Sequence, residues 1–481
     1  MKLHTEIARG LKWTAGAKLG SQLVTWGITI YVMRVLDPGD YGLLAMATVF
    51  LALLAMFAEV GLGPALVQKS ELAPETVRRA YGIVWVVNLV LFALLNLAAG
   101  LVAGFYGEAR LVPVLHVLSL QFLIIPFIVV PDAMLQRKLD YKWRSLIELA
   151  TAVAASVATL LMALAGYGVW SLVAGMLANT ACKAVLLNVV SPYLRLPSFA
   201  LGGMRQVVQF GGNVTASRFL WFFFTQIDVV LIGRLLGDHV LGLYSVAVHL
   251  ASLPAQRVSG ILNQVAFPAA ARFQHDRAAI GAQLLRAIGY VSLIAFPILW
   301  GMSCVAYELI PVLLGPEWGG AILPFQILTL VMPFRMIIGF LPTVTDALGR
   351  SDVALRNAAL GCLVMPAALY VGSHWGIAGV AYAWVTAYPV VLFMNLRRML
   401  PVIGISLRAV AERVAPALFS AAGMYGAVWA VRMAWRGAGG VTALVLEIVA
   451  GVCSYVLLSM VCNRALLAEL LRRGRPASPA A

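Results

Sequence analysis

Apolar runs of eighteen residues or more recur from one end of this 481-residue chain to the other, separated by short polar connections. Fourteen segments can be drawn, at roughly 11–33, 41–63, 81–105, 111–131, 146–165, 168–190, 207–233, 241–263, 286–309, 321–345, 355–373, 376–394, 409–431 and 441–462. At about 1.5 Å of rise per residue, each is long enough to cross a hydrocarbon layer ~30 Å thick. The pattern predicts an all-α polytopic membrane protein with about fourteen transmembrane helices. Composition agrees, with 62% hydrophobic and 11% charged residues, where a soluble domain carries about a quarter charged.

The net charge of +15 would suit a nucleic-acid binder, but its placement points elsewhere. When the connections are assigned alternately to two sides, 27 of the 35 Lys and Arg fall on the side of the N-terminus. The other side receives five, Arg34, Arg110, Arg234, Arg432 and Arg436; residues towards a segment end are counted with the adjoining side, and three, Arg218, Arg257 and Arg335, are assigned to the spans themselves. Lys and Arg collect in cytoplasmic loops, so both termini are expected inside and no nucleic-acid partner is expected. The start, MKLHTEIARGLKWTAGAKLG, has no small-residue cleavage site after a short apolar core; it reads as a brief interfacial helix leading into the first span. The five cysteines are dispersed in apolar segments without metal-ligand spacing, so neither metal nor cofactor is expected.

A second pattern has a period of about 200 residues. Sliding 18–47 onto 218–247 without a gap aligns Lys18 with Arg218, Thr25 with Thr225 and Arg34 with Arg234. The same shift aligns Gly42-Leu43 with Gly242-Leu243, and GYGVWSLVAG at 166–175 resembles HWGIAGVAYA at 374–383. An internal duplication follows. Residues 1–200 form an N-terminal lobe of six helices, 201–400 a C-terminal lobe of six, and 401–481 two additional helices with a basic tail. Six is even, so both copies enter the membrane from the same side. They are parallel repeats about an axis along the membrane normal, with a substrate site expected between them.

The connections near 34–40, 166–167, 234–240 and 374–375 are only a few residues long, which leaves no room for a catalytic domain there. The chain carries no Walker-type glycine loop, paired-aspartate metal motif or nucleophile elbow. An enzyme is not expected.

Ionisable residues inside spans cost about 2.5–3.5 kcal/mol on insertion scales, so they face protein or a water-filled cavity. Lys18, Arg218, Arg257 and Arg335 are therefore candidate cavity cations for an anionic group, the guanidinium fork suiting phosphate. For Lys18, snorkelling to the interface is an equal alternative. Asp228 lies ten residues beyond Arg218, ~15 Å along one helix and on another face, so the two cannot pair directly. Asp228 and Glu59 are candidates for structural pairing, with Arg257 a possible partner of Asp228, or for ion coupling; Glu447 is expected to pack between the last helices. The aromatic run FLWFFF at 219–224 suits a lipid-facing groove or simple packing.

Several stretches together carry a family resemblance. They are DYGLLAMA (40–47), FAEVGLGPALVQKSEL (57–72), DAMLQRKLDY (132–141), QIDVVLIGRLLG (226–237), LGLYSVA (241–247), FPAAARFQHD (267–276) and LLGPEWGGAILPFQIL (313–328). Through them the chain resembles the Wzx-type oligosaccharide flippases, the colanic-acid-exporter branch of the multidrug/oligosaccharidyl-lipid/polysaccharide superfamily. The resemblance implies two helical lobes around a central cavity in a bacterial inner membrane. It implies a lipid-linked oligosaccharide on undecaprenyl diphosphate as substrate, with membrane lipids and the polysaccharide polymerase and export machinery as partners. An ion-coupled multidrug exporter of the same superfamily is the alternative, which buried carboxylates such as Asp228 would favour.

Overall fold

The computed structural model describes residues 25–58, 74–138, 141–193, 196–199, 205–272, 277–339, 341–348, 350–435, 440–464 and 466, with the backbone alone at 205–221, 257–272 and a few single positions. All regular structure among them is helical. The helices are α1 (described over 25–35), α2 (Pro38–Ala58), α3 (Pro74–Tyr106), α4 (Leu111–Ile124 with Pro126–Arg137), α5 (Tyr141–Leu164) and α6 (Val169–Val190). The continuous run Arg205–Arg272 is broken at Gly237, giving α7 (205–236) and α8 (238–272). Then follow α9 (Arg277–Cys304), α10 (Ile322–Gly339), α11 (Ser351–Ser373), α12 (Gly376–Thr386 with Tyr388–Ile403), α13 (Leu407–Ala434) and α14 (Val441–Cys462).

Eleven described helices are long and apolar enough to cross a bilayer, and the bent α4 makes twelve. Division at Gly237 and the first span, of which 25–35 is described, account for all fourteen predicted segments. The breaks have local causes. α4 bends by 45° where Pro126 lacks an N–H to continue the helical ladder. At Gly237 the backbone adopts φ 85°, ψ −179°, a conformation open to glycine and costly for other residues. Large apolar side chains point outward, with Leu97 82%, Leu101 78% and Phe419 68% exposed. Such a surface needs hydrocarbon around it.

The described chain divides into two compact units, Met1–Gly242 and Leu243–Ala481, with the boundary in the first turns of α8. In the first unit, Val77, Tyr81 and Val84 of α3 pack with Val130 and Ala133 of α4. Asn88 fastens α2 to α3, because its Nδ2 donates to the Ala58 and Val84 carbonyls at 2.8 Å each. Interhelical hydrogen bonds of this kind contribute about 0.6–1.7 kcal/mol in a membrane protein. Asn88→Ala is expected to lower the thermal midpoint in detergent by a few degrees while export continues; a midpoint equal to wild type would show that the bond adds nothing.

In the second unit, α13 and α14 form a hairpin against α9, with Val305, Val428 and Leu444 in its core. α11 and α12 meet at Gly372 and Gly379, where a Cβ on either would strike the other's carbonyl oxygen. Only glycine allows backbones this close.

Candidate functional site

The 200-residue repeat is written into a contact of the first unit. α2 begins at Pro38 after the break at 36–37, and α8 begins at 238 after the break at Gly237. A Cβ on Gly42 would run into the Asp238 carbonyl oxygen, and a Cβ on Gly242 would run into that of Pro38. Shifting by 200 exchanges the two contacts, so each is the other's image. Such reciprocity is the signature of a two-fold relation, and it supports parallel repeats over this segment. Glycine at both positions lets the helix starts touch backbone to backbone.

Charge gathers around this seam. Arg110 Nη2 donates to Asp238 Oδ2 at 2.6 Å, and its Nε donates to Glu108 Oε1 at 2.8 Å. Asp37 Oδ1 accepts the Gly39 N–H at 2.6 Å. The Asp40 carboxylate lies against Gly168, so the connection before α6 reaches the same end. The Arg110 guanidinium, hydrogen-bonded to it, holds the Glu108 carboxyl below the usual carboxylate range. The stabilisation this gives is in place above that range and is lost as pH falls through the lowered folded-state value.

Away from this seam the polar residues of the spans separate into two kinds. Arg432 of α13 is fully engaged. It donates from Nε to Glu447 Oε1 at 2.8 Å, and from Nη2 to Glu308 Oε2 at 2.6 Å and to the Cys304 carbonyl at 2.7 Å. Glu447 is only 3% exposed. This bears out the expectation that Glu447 packs between the last helices and adds a partner that sequence reasoning placed in a connection. The signal was present, because Arg432 and Glu447 face each other across the hairpin turn.

Arg335 of α10 differs. Its guanidinium lies 4.6 Å from the centroid of the Trp384 ring, whose Nε1 donates to Tyr244 Oη at 2.8 Å, and Tyr388 stands beside that ring at 5.9 Å. The aromatic face holds the cation without neutralising it, and among the described residues Arg335 has no carboxylate in ion-pair range. It is a half-buried positive charge on a membrane span.

Of the other predicted site residues, Asp228 is buried on α7 and accepts the Val229 N–H at 2.9 Å. Arg218 and Arg257 occupy helical positions on α7 and α8, their side chains lying outside the described set, as do Lys18 and Glu59 altogether. The Asp228–Arg257 pairing falls outside it for the same reason. Part of the aromatic run faces a cavity, since Phe222 and Phe223 line an apolar recess with residues of α2 and α3.

Residues 31–323 match the family described as Polysaccharide biosynthesis protein. The lipopolysaccharide biosynthesis protein WzxC of Escherichia coli is 25% identical over 85% of this chain and 84% of its own length. The teichuronic acid biosynthesis protein TuaB of Bacillus subtilis is 26% identical over 98% of both. In fold, the chain superposes on the lipid II flippase MurJ in an inward closed conformation. That match has a TM-score of 0.75 over 95% of this chain and 99% of MurJ, at 13% identity.

Proposed function

Starting from a chain that belongs to the polysaccharide biosynthesis protein family, of the Wzx type within the multidrug/oligosaccharidyl-lipid/polysaccharide superfamily, we propose that it flips undecaprenyl-diphosphate-linked oligosaccharide repeat units from the cytoplasmic to the periplasmic leaflet of a bacterial inner membrane. The observation that supports the substrate's charge is Arg335, held on an aromatic face with no carboxylate in ion-pair range among the described residues. An anionic headgroup compensates such a charge and a cationic drug does not.

Both termini lie in the cytoplasm on this reading, as the distribution of Lys and Arg supports. The functional lobes follow the duplication, 1–200 and 201–400, with 401–481 added. Lys18, Arg218, Arg257 and Arg335 supply the positive surface of a central cavity that opens alternately to each side. The barrier to flipping is the transfer of a charged, hydrated headgroup through hydrocarbon, and a polar cavity removes most of it. No bond is made or broken. The Gly42–Gly242 seam, with Arg110 and Asp238, closes the periplasmic end. Asp228, buried on α7, is structural in this scheme and becomes the coupling residue if the chain is instead an ion-driven multidrug exporter.

In a strain lacking this protein, intact diphosphate-linked repeat units are expected to accumulate on the cytoplasmic leaflet and to clear when the gene is restored. Absence of accumulation, with new sensitivity to cationic drugs, would favour the exporter. Arg218→Ala and Arg335→Ala are each expected to reduce clearance about tenfold or more, the loss of roughly one charge-assisted hydrogen bond to phosphate. Both should leave the amount of membrane-inserted protein unchanged. Normal clearance by both variants would remove the cationic cavity from the mechanism.

A further inference from the structure

Three spans of the first unit, α2, α3 and α7, enclose an apolar recess of ≈460 Å³ that the headgroup mechanism does not use. Phe50 and Leu53 form one wall, Phe105 a second, and Phe222, Phe223 and Gln226 a third. Phenylalanines contribute to all three walls. Tyr106 stands edge-on to both Phe50 and Phe105, with centroids 6.0 and 5.0 Å away. Gln226 is the single polar side chain among the lining residues, too little to recognise a sugar or a phosphate.

At one rim stands a cation. The Arg234 guanidinium lies 5.7 Å from the centroid of Phe105, and its side chain is exposed. On α7, positions 218, 222, 226, 230 and 234 follow one another at four-residue intervals, a single ridge along the helix. The ridge therefore has an arginine position at each end, ~24 Å apart, and the recess between them. Resting on the proposed function above, we propose that this recess binds the isoprenoid chain of the polyprenyl diphosphate lipid, and that Arg234 receives the diphosphate at the far end.

The chemistry fits this occupant. All three walls belong to membrane spans, so what fills the recess is a lipid chain. Methyl-branched, unsaturated units make good contact with aromatic faces and edges. A cation at the rim matches a headgroup carrying several negative charges better than one carrying a single charge. The tail stays in this recess while the headgroup crosses by the cationic cavity and meets Arg234 at the far end.

The test uses full-length protein in detergent with an undecaprenyl diphosphate that bears a photoreactive group on its chain. Labelled peptides are expected from 38–58, 74–106 and 205–236. Leu53→Trp fills the recess from within, and Leu101→Trp narrows it from an exposed, lipid-facing position where a larger side chain does not disturb folding. Each is expected to cut labelling about tenfold, the effect of displacing a few chain carbons. Labelling confined to other helices, undiminished labelling in both variants, or equal displacement by phosphatidylglycerol would overturn the proposal. Failure of the parent reading registers separately, as absence of accumulated lipid-linked glycan in the deletion strain.

Discussion

Replacing Arg432 with Leu is expected to destabilise the protein by about 3–5 kcal/mol, the usual cost of removing one partner from a buried ion pair. Glu447, at 3% exposure, would be left without its counter-ion, and Glu308 and the Cys304 carbonyl would each lose a hydrogen bond of 2.6–2.7 Å. Four segments meet at that guanidinium, namely α13, α14, the end of α9 and the short helix Ala306–Leu314 that follows it. The variant should reach the membrane in reduced amount and unfold at a markedly lower temperature in detergent. Adding Glu447→Leu and Glu308→Leu together should restore more than half of the loss, because apolar side chains of similar volume often replace a buried ionic cluster at little cost. If Arg432→Leu alone matched wild type, these contacts would be incidental to stability.

The second large effect is expected at the seam. Gly42→Val places a branched side chain where the Asp238 carbonyl stands, and Gly242→Val does the same against Pro38. Backbone cannot retreat as a flexible side chain can, so the starts of α2 and α8 must part. Each variant should insert normally and lose export more than tenfold, about the effect of 1.4 kcal/mol or more on a conformational equilibrium. A cysteine at Leu43, fully buried in the wild type, should gain reactivity toward a thiol reagent that cannot cross the membrane. Normal export by Gly42→Val, with the cysteine still protected, would mean that this end need not close.

The fourteen helices were legible because lipid leaves a chain few options, and an apolar run long enough to cross the bilayer writes its own boundaries. Gly42 and Gly242 were legible as equivalents, since a shift of 200 aligned them, but not as reciprocal contacts. Sequence equivalence says nothing about which surfaces touch. Arg432 read as part of an outward connection because helix ends are the least certain part of any pattern, and one extra turn carried it into the core beside Glu447. The recess was half legible. FLWFFF showed an aromatic wall, while Phe50 and Phe105 come from helices more than a hundred residues away in the chain. Arg335 was singled out by charge alone, and the Trp384 ring that holds it could not be inferred from spacing.

The reciprocal seam also bears on ancestry. A single-copy forebear with one glycine could have made the same two contacts as a homodimer, and any change at that glycine or its neighbours would then have been felt twice. Fusion of two such copies would remove that constraint. The backbone contacts remain twins, yet one helix start now offers a proline and the other an aspartate that holds Arg110. Symmetry survives where only glycine fits, and has been given up where a side chain was free to diverge.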